Sequence, residues 1–297
     1  MFQNKTIALT LLLICVLPLK GQQIVAENAK LEVVSTAFQF TEGPASDKEG
    51  NVYFTDQPNN RIHKWHAKEN TISTFLENAG RSNGLYFNHQ GDLLACADEK
   101  FELWRIDPLK KKTVLVSTFK NQKLNGPNDL WVTPTGGIYF TDPYYQRPYW
   151  KRTKKEMEKE QVYYIDPKTK NVRVVASDLV KPNGIIGSAD AKTLYIADIG
   201  DSKTYRYTIN PDGTLSNKTL FAAMGSDGMT IDNHENLYLT GKGVSVFNSK
   251  GDKIHHINVD QDWTANVTFG GQEQNTLFIT AMNAVYTLQM KVKGVRY

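Results

Sequence analysis

The sequence predicts an all-β protein, a six-bladed β-propeller with four antiparallel strands in each blade. Two observations carry this prediction: a short apolar, aromatic or β-branched segment recurs six times, and the recurrences are spaced at the length of a four-stranded blade. A composition of 40% hydrophobic and 22% charged residues over 297 residues is that of a globular protein with a large core.

The six recurring segments each follow a turn rich in Gly, Asp, Asn or Lys. They align with spacings of 41, 45, 56, 43 and 40 residues. The aligned residues are Tyr53, Leu94, Tyr139, Tyr195, Tyr238 and Phe278. The last unit has only three strands, whereas a spare strand, residues 31–38, precedes the first unit. We therefore expect this N-terminal strand to complete the sixth blade and close the ring, which removes exposed sheet edges.

The N-terminal residues 1–21 predict a secretory signal peptide. Lys5 precedes an apolar run over residues 7–19, and the small residue Gly21 follows it. An uncleaved membrane anchor is the alternative, although the run is short for a spanning helix. We expect residues 22–297 to form a single domain that is exported, either periplasmic or secreted, with no stable membrane association.

The expected mature chain carries little net charge and one cysteine. The 35 Lys and Arg residues, less Lys5 and Lys20, leave 33 against 31 Asp and Glu, a net charge of +2. This balance gives no basis for binding nucleic acid or an anionic membrane. Because Cys15 lies in the signal segment, Cys96 remains alone and no internal disulfide can form. We expect a monomer that binds a small molecule.

A side chain with an oxygen atom lies 11 or 12 residues before each aligned residue. This set comprises Glu42, Asn83, Asn128, Asn183, Asp227 and Asn266. If these residues begin the innermost strands, the symmetry of the fold places them around the central axis at one height. Converging carboxylates and amides would repel or lack partners unless a cation joined them.

Oxygen donors without Cys or His favour a hard ion. We therefore expect one divalent metal ion. Ca²⁺ is the preferred candidate, and Mg²⁺, Mn²⁺ or Zn²⁺ are the alternatives. The charges of Glu42 and Asp227 would balance it. The other interpretation is that the six residues only form turns, since Asn-Gly at 83 and 183 and Asp-Gly at 227 are common turn pairs.

Further polar residues are expected at the mouth of the channel, where the innermost strands begin. They include the second-strand residues Asp56, Asp98, Asp142 and Asp198. The 56-residue spacing is explained by an insertion, residues 143–160, which carries Tyr144, Tyr145, Arg147, Tyr149 and Trp150. We expect a partial lid that contacts substrate; the alternative is a solvated helix and loop without a role in binding. The predicted substrate-binding residues are Asn83, Asn125, Asp142, Tyr144 and Asn266.

Two other catalytic patterns do not fit the sequence. Residues 80–84 match the G-x-S-x-G pattern, but a strand follows them where the serine-hydrolase turn needs a helix. The six histidines have no spacing typical of a zinc site.

Five short segments resemble the signature segments of the gluconolactonase / senescence-marker-protein / luciferin-regenerating-enzyme family. They are Glu42-Gly43-Pro44, Pro127-Asn128-Asp129-Leu130, Phe140-Thr141-Asp142-Pro143, Pro182-Asn183-Gly184 and Asp227-Gly228-Met229. The resemblance spans residues 38–286 and implies a six-bladed propeller. It also implies that a catalytic divalent ion is held by Glu42, Asn128, Asn183 and Asp227. One departure is the segment 97–99, Ala-Asp-Glu, where many similar bacterial proteins have Glu-His, so the resemblance does not imply the substrate contacts of that loop.

The resemblance implies a metal-dependent hydrolase that opens a sugar lactone by Lewis-acid activation of the carbonyl and attack of water. Asp227 is the expected catalytic residue, as the base itself or by orienting the water. Two alternatives remain. One is hydrolysis of another ester or a phosphotriester at the same site, and the other is a non-enzymatic propeller that binds a sugar acid or a partner protein around a structural ion.

Overall fold

The computed structural model describes residues 23–295. The predicted signal peptide, residues 1–21, lies outside the described residues, so cleavage and export stay predictions. Within residues 23–295, no helix has the length and apolar character needed to cross a membrane. The only cysteine in this part of the chain, Cys96, is free and buried.

Six four-stranded antiparallel sheets form the blades of the propeller. The strands are numbered in chain order. Blade 1 contains β2 (Thr41–Ser46), β3 (Val52–Asp56), β4 (Arg61–His66) and β5 (Thr71–Glu77). Blade 2 contains β6 (Ser82–Phe87), β7 (Leu93–Ala97), β8 (Glu102–Ile106) and β9 (Lys112–Val116). Blade 3 contains β12 (Leu130–Val132), β13 (Ile138–Asp142), β14 (Gln161–Ile165) and β15 (Val172–Ala176).

The second half of the chain repeats this arrangement. Blade 4 contains β16 (Pro182–Gly187), β17 (Thr193–Asp198), β18 (Lys203–Ile209) and β19 (Leu215–Ala222). Blade 5 contains β20 (Met229–Ile231), β21 (Leu237–Gly241), β22 (Gly243–Phe247) and β23 (Lys253–Ile257). Blade 6 contains β24 (Asn266–Gly270), β25 (Thr276–Ala281), β26 (Ala284–Gln289) and β1 (Glu32–Ser35). Outside the blades lie a hairpin of β10 (Thr118–Phe119) and β11 (Gln122–Lys123) and a 3₁₀ turn, Asp98–Lys100.

The ring closes as the sequence predicts. Strand β1 pairs antiparallel with β26 and places Val33 opposite Tyr286, so the N-terminal strand is the outermost strand of blade 6. The innermost strands β2, β6, β12, β16, β20 and β24 each lie beside the next, and β24 lies beside β2. Every innermost strand therefore has an innermost strand on each side, and this packing keeps the six strand ends in fixed relative positions.

Large aromatic side chains fill the space between blades. Trp131 of blade 3 is fully buried, stacks on Tyr139 with ring centroids 5.9 Å apart, and covers the backbone of Gly187 in blade 4. A Cβ atom at Gly187 would lie 2.1 Å from the Trp131 ring, so only glycine allows this contact. Burial of such side chains contributes about 1.5–3 kcal/mol each, and the packing holds adjacent innermost strands together.

A buried carboxylate holds the loop before the innermost strand in three blades. Asp142 accepts the backbone N–H groups of Asn125 at 2.8 Å and Gly126 at 2.7 Å. Asp198 does the same for Val180 and Lys181, both at 2.8 Å. In blade 1 the corresponding carboxylate, that of residue 56, accepts the N–H groups of residues 39 and 40 at 3.2–3.4 Å. The last residue held in each loop lies two residues before a candidate ligand, so the carboxylates fix where the ligands lie.

Candidate active site

The structure brings the six predicted polar residues to the start of the innermost strands. Glu42, Asn83 and Asn183 are the second residues of β2, β6 and β16. Asn266 begins β24, and the two others lie two residues before β12 and β20. All are buried except the half-buried Asp227. The spacing in the sequence therefore identified one ring of side chains at one end of the channel.

Two carboxylates of this ring are destabilised as anions. Burial raises the pKa of Glu42 well above its ordinary value, and the negative charges of Asp227 and Asp129 raise it further. The Gly43 N–H, 3.1 Å from Oε2 of Glu42, opposes this shift only in part. Burial also raises the pKa of Asp227. A divalent cation between the two side chains would offset both effects, since opposite charge favours the ionised form.

Asn183 supplies an oxygen atom without a partner. Its Nδ2 donates to Oδ1 of Asp227 at 2.9 Å and to the hydroxyl of Tyr145 at 3.0 Å. Its Oδ1 is buried and accepts no hydrogen bond within residues 23–295. A buried acceptor without a donor is costly, and a cation in the ring would satisfy it. Asn128 also forms no side-chain hydrogen bond among the described residues, which leaves its amide free for the same role.

This donor set fits a hard divalent ion. Glu42 and Asp227 provide two carboxylates, and Asn128 and Asn183 provide amide oxygens, the groups that Ca²⁺ and Mg²⁺ prefer. Nowhere in residues 23–295 do three or more His, Cys, Asp or Glu side chains form a cluster that could hold a metal. Any metal site of this ring therefore depends on the amides as well as on the two acids.

Trp263 fixes the orientation of Asp227. The indole Nε1 donates to Oδ2 of Asp227 at 2.6 Å, while Asn183 donates to Oδ1. Trp263 comes from the loop between β23 and β24, which no sequence repeat marks. Sequence reasoning therefore missed it, and only the closed ring of blades brings it to the site.

Asp129 lies next to the ring at its inner side. Burial raises its pKa to about 8, against hydrogen bonds from the Leu130 and Ile185 backbone and from the side chain of Asn266. A cavity of about 620 Å³ deeper in the channel is lined by Asp129 and Asn266 but by none of the four candidate ligands. These two residues therefore lie at the boundary between the mouth and this cavity. The Asn-Asp pair at 128–129 was a visible signal for Asp129, although it was not among the predicted site residues.

The insertion in blade 3 covers the mouth without forming a helix. Tyr145 reaches the ring through its hydroxyl on Asn183. Arg147 and Tyr149 bind Oδ2 of Asp98 at 3.0 and 2.7 Å, and Trp150 donates to the Asp98 carbonyl at 3.0 Å. The insertion thus spans from blade 2 to the ring, the position expected of a partial lid.

Three predicted substrate-binding residues lie away from the ring. Asn125 and Asp142 are fully buried: Asn125 donates to the backbone carbonyls of Asp142 and Lys159, and Asp142 holds the loop described above. The structure gives both side chains a role in supporting the loop, and their contact with substrate stays a prediction. The Tyr144 hydroxyl donates to Gln146 and its ring packs beside Trp150. Its neighbour Tyr145 contacts the ring through Asn183, and substrate binding by Tyr144 stays a prediction.

The two remaining predicted substrate-binding residues, Asn83 and Asn266, do belong to the ring. Asn83 forms no side-chain hydrogen bond within the described part of the chain. Oδ1 of Asn266 accepts the Val267 N–H at 2.8 Å. The Asn266 amide packs so closely on Gly228 that a Cβ atom there would lie 1.9 Å from it. Asn83 is therefore the freer of the two to meet a ligand.

Comparison with known proteins finds a matching family profile and several similar proteins. Residues 40–283 match the family profile described as the SMP-30/gluconolactonase/LRE-like region. A gluconolactonase of Zymomonas mobilis is 26% identical and the match covers 90% of this chain and 83% of that protein. The structure of a putative gluconolactonase is similar with a TM-score of 0.87 at 27% identity, over 93% of this chain and 97% of that one. A gluconolactonase of Xanthomonas campestris has a TM-score of 0.83 at 28% identity, over 90% and 91%.

The fold and the site thus define the class of protein: a six-bladed propeller with oxygen donors at one mouth of its channel. The chain belongs to the SMP-30/gluconolactonase/LRE-like family. This confirms the resemblance drawn from the five signature segments.

Proposed function

We propose that this chain is a metal-dependent hydrolase that opens a sugar lactone at the mouth of the central channel. Its family and its relatives, which include a gluconolactonase and a lactonohydrolase of Aspergillus oryzae, make it a lactone hydrolase. The observation that supports the metal dependence is the pair of carboxylates, buried Glu42 and half-buried Asp227, beside the unpartnered Oδ1 of Asn183.

Glu42, Asn128, Asn183 and Asp227 would hold one divalent ion, Ca²⁺ first, with Mg²⁺, Mn²⁺ or Zn²⁺ as alternatives. When bound, the ion would supply Lewis acidity that polarises the lactone carbonyl and favours the oxyanion. Its charge balances the two carboxylates, which burial otherwise disfavours as anions. The proposed substrate is therefore an uncharged lactone.

Asp227 is the proposed general base. Trp263 and Asn183 each hold one of its oxygens, so the carboxylate has a fixed direction toward the mouth. Asp227 takes a proton from water, the water oxygen bonds to the carbonyl carbon, and the ring C–O bond breaks. The ring oxygen takes this proton from Asp227, which restores the base, and the new carboxyl group loses its proton to solvent. The products are a carboxylate and a hydroxyl group on one open chain.

The lid limits access of bulk water to this step. Tyr145 lies over Asn183, and the anchoring bonds to Asp98 keep the insertion in place. Excluding water strengthens the electrostatic interactions of the ring with the substrate. Asn83, whose side chain forms no hydrogen bond among the described residues, is the proposed contact for a substrate hydroxyl.

A pH-indicator assay with glucono-δ-lactone tests the proposal. We expect hydrolysis by untreated protein, loss of the rate after EDTA, and recovery on adding back Ca²⁺, Mg²⁺, Mn²⁺ or Zn²⁺. Asp227→Asn should abolish turnover and retain the fold. The matched control is Asp178→Asn, since Asp178 is exposed and forms a surface ion pair with Lys218.

Three outcomes would contradict the proposal in different ways. Full activity after complete chelation would contradict the metal dependence, and a near-normal rate of Asp227→Asn would contradict the role of Asp227 as general base. Metal-dependent melting without hydrolysis of any lactone would favour a binding propeller with a structural ion. A panel that adds phosphotriesters and simple esters decides whether a lactone is the preferred substrate.

Export of the mature chain is part of the proposal. Residues 1–21 have the composition of a signal peptide, and the mass of the protein recovered from culture medium or periplasm measures cleavage directly. A full-length mass in the cytosolic fraction would contradict export.

A further inference from the structure

The lid carries a guanidinium group whose hydrogen bonds are only partly used. Nε of Arg147 donates to Oδ2 of Asp98 at 3.0 Å, whereas Nη1 and Nη2 form no hydrogen bond within residues 23–295. The Arg147 side chain is 25% exposed, so these donors are mostly enclosed at the mouth. An enclosed guanidinium with two unused donor groups is suited to bind a carboxylate or an oxyanion.

Arg147 faces the candidate metal ring. Its charge lowers the pKa of both Glu42 and Asp227, and its guanidinium lies 5.4 Å from the ring centroid of Tyr145, whose hydroxyl contacts Asn183. The group therefore lies within electrostatic range of the two acids and beside the lid residue that contacts the ring. Its side chain is mostly buried, unlike that of a surface ion pair.

Asp98 is built to hold Arg147 in this place. One carboxylate oxygen, Oδ2, accepts hydrogen bonds from Arg147, from Tyr149 at 2.7 Å and from Gln57 at 3.3 Å. The Asp98 side chain is only 4% exposed. A second arginine, Arg81, stacks over the ring of Tyr149 at 4.5 Å. This network lets the lid present one guanidinium in a fixed direction.

Charge balance explains why such a pair suits lactone opening. Asp98 neutralises Arg147 before the substrate binds, so the site does not select for an anionic substrate. Negative charge then develops on the carbonyl oxygen and ends on the product carboxylate. Donors fixed in advance act on that charge more strongly than on the neutral lactone.

We propose, on the basis of the proposed lactonase function, that Arg147 is a further catalytic residue whose Nη groups donate hydrogen bonds to the developing oxyanion and to the product carboxylate. Asp98 is the positioning residue that aims it. Arg147 keeps its proton throughout, and no bond to it forms or breaks.

Steady-state kinetics of Arg147→Met, Arg147→Lys and Asp98→Asn on glucono-δ-lactone test this assignment. We expect Arg147→Met to lower kcat about 100-fold with KM changed less than about threefold, because the lost donor acts on the transition state. Inhibition by gluconate should weaken about 10-fold or more, since charged hydrogen bonds to the product are lost. The kcat of Arg147→Lys should lie between those of Arg147→Met and wild type, and Asp98→Asn should lower kcat about 10-fold.

The matched control is Arg105→Met on strand β8. This arginine is 47% exposed, and its Nε lies 3.9 Å from Oδ2 of Asp92, a long distance for an ion pair. We expect wild-type kinetics from this variant. Added guanidinium ion should partly restore kcat in Arg147→Ala, a result that a misfolded variant cannot give.

The proposal is overturned if kcat and gluconate inhibition are unchanged in Arg147→Met, or if only KM rises, which would assign Arg147 to binding of neutral hydroxyl groups. A wild-type protein that hydrolyses no lactone would instead refute the proposed function. The two failures are therefore distinguishable.

Discussion

Replacing Trp263 with Phe removes one hydrogen bond and keeps an aromatic ring in place. Nε1 of Trp263 donates to Oδ2 of Asp227 at 2.6 Å, and the other carboxylate oxygen is held by Asn183. A hydrogen bond to a charged group is worth about 1.5–3 kcal/mol. If the bond acts by orienting the base in the transition state, its loss lowers kcat about 10- to 100-fold.

The assay is steady-state hydrolysis of glucono-δ-lactone by wild type and Trp263→Phe at saturating metal. The matched control is Trp65→Phe, which removes an indole hydrogen bond of 2.8 Å to Asn70 in blade 1, remote from the channel. We expect the control to keep its kcat. A Trp263→Phe enzyme that folds, binds metal and retains kcat within a factor of about two would refute the orienting role.

Two further predictions concern the scaffold. Asp198→Asn should lower the free energy of unfolding by about 1–3 kcal/mol in urea denaturation, because an amide oxygen cannot replace both carboxylate acceptors of the loop before β16. Asp178→Asn, at an exposed ion pair, should lower the free energy of unfolding by at most about 1 kcal/mol. Equal losses in the two variants would contradict the role of Asp198 in holding the loop. Burial lowers the pKa of His63 below 6.5, so the unfolded chain binds the proton more tightly and stability falls as pH drops below about 6.5. His63→Phe should lose less stability than wild type between about pH 7.5 and 5.5; parallel curves would exclude this linkage.

The architecture and the ring were predictable because each depends on a repeat. The blade length appears directly in the spacing of the strand segments, and residues such as Glu42 and Asn183 occupy one position in every repeat. Strand order, ring closure by β1 and convergence of the polar side chains then follow from symmetry.

The contacts made by loops were not predictable in this way. Asp98 and Asp142 occupy equivalent repeat positions, yet Asp142 holds its own loop and Asp98 holds the lid. The difference arises from the insertion, since Arg147 and Tyr149 donate to Oδ2 of Asp98, whereas the carboxylate of Asp142 accepts the backbone N–H groups of its own loop. Trp263 likewise reaches Asp227 only because the blades close into a ring. Such contacts depend on where neighbouring blades place a loop, and no local pattern in the sequence encodes that position.

Calorimetric titration of the metal-free protein with Ca²⁺ tests the central claim most directly, because it measures the ion without assuming a substrate. We expect one Ca²⁺ bound per chain, greatly weakened binding in Glu42→Gln and Asp227→Asn, and unchanged binding in Asp178→Asn. Absence of uptake of Ca²⁺, and likewise of Mg²⁺, Mn²⁺ and Zn²⁺, by the folded wild-type protein would contradict it.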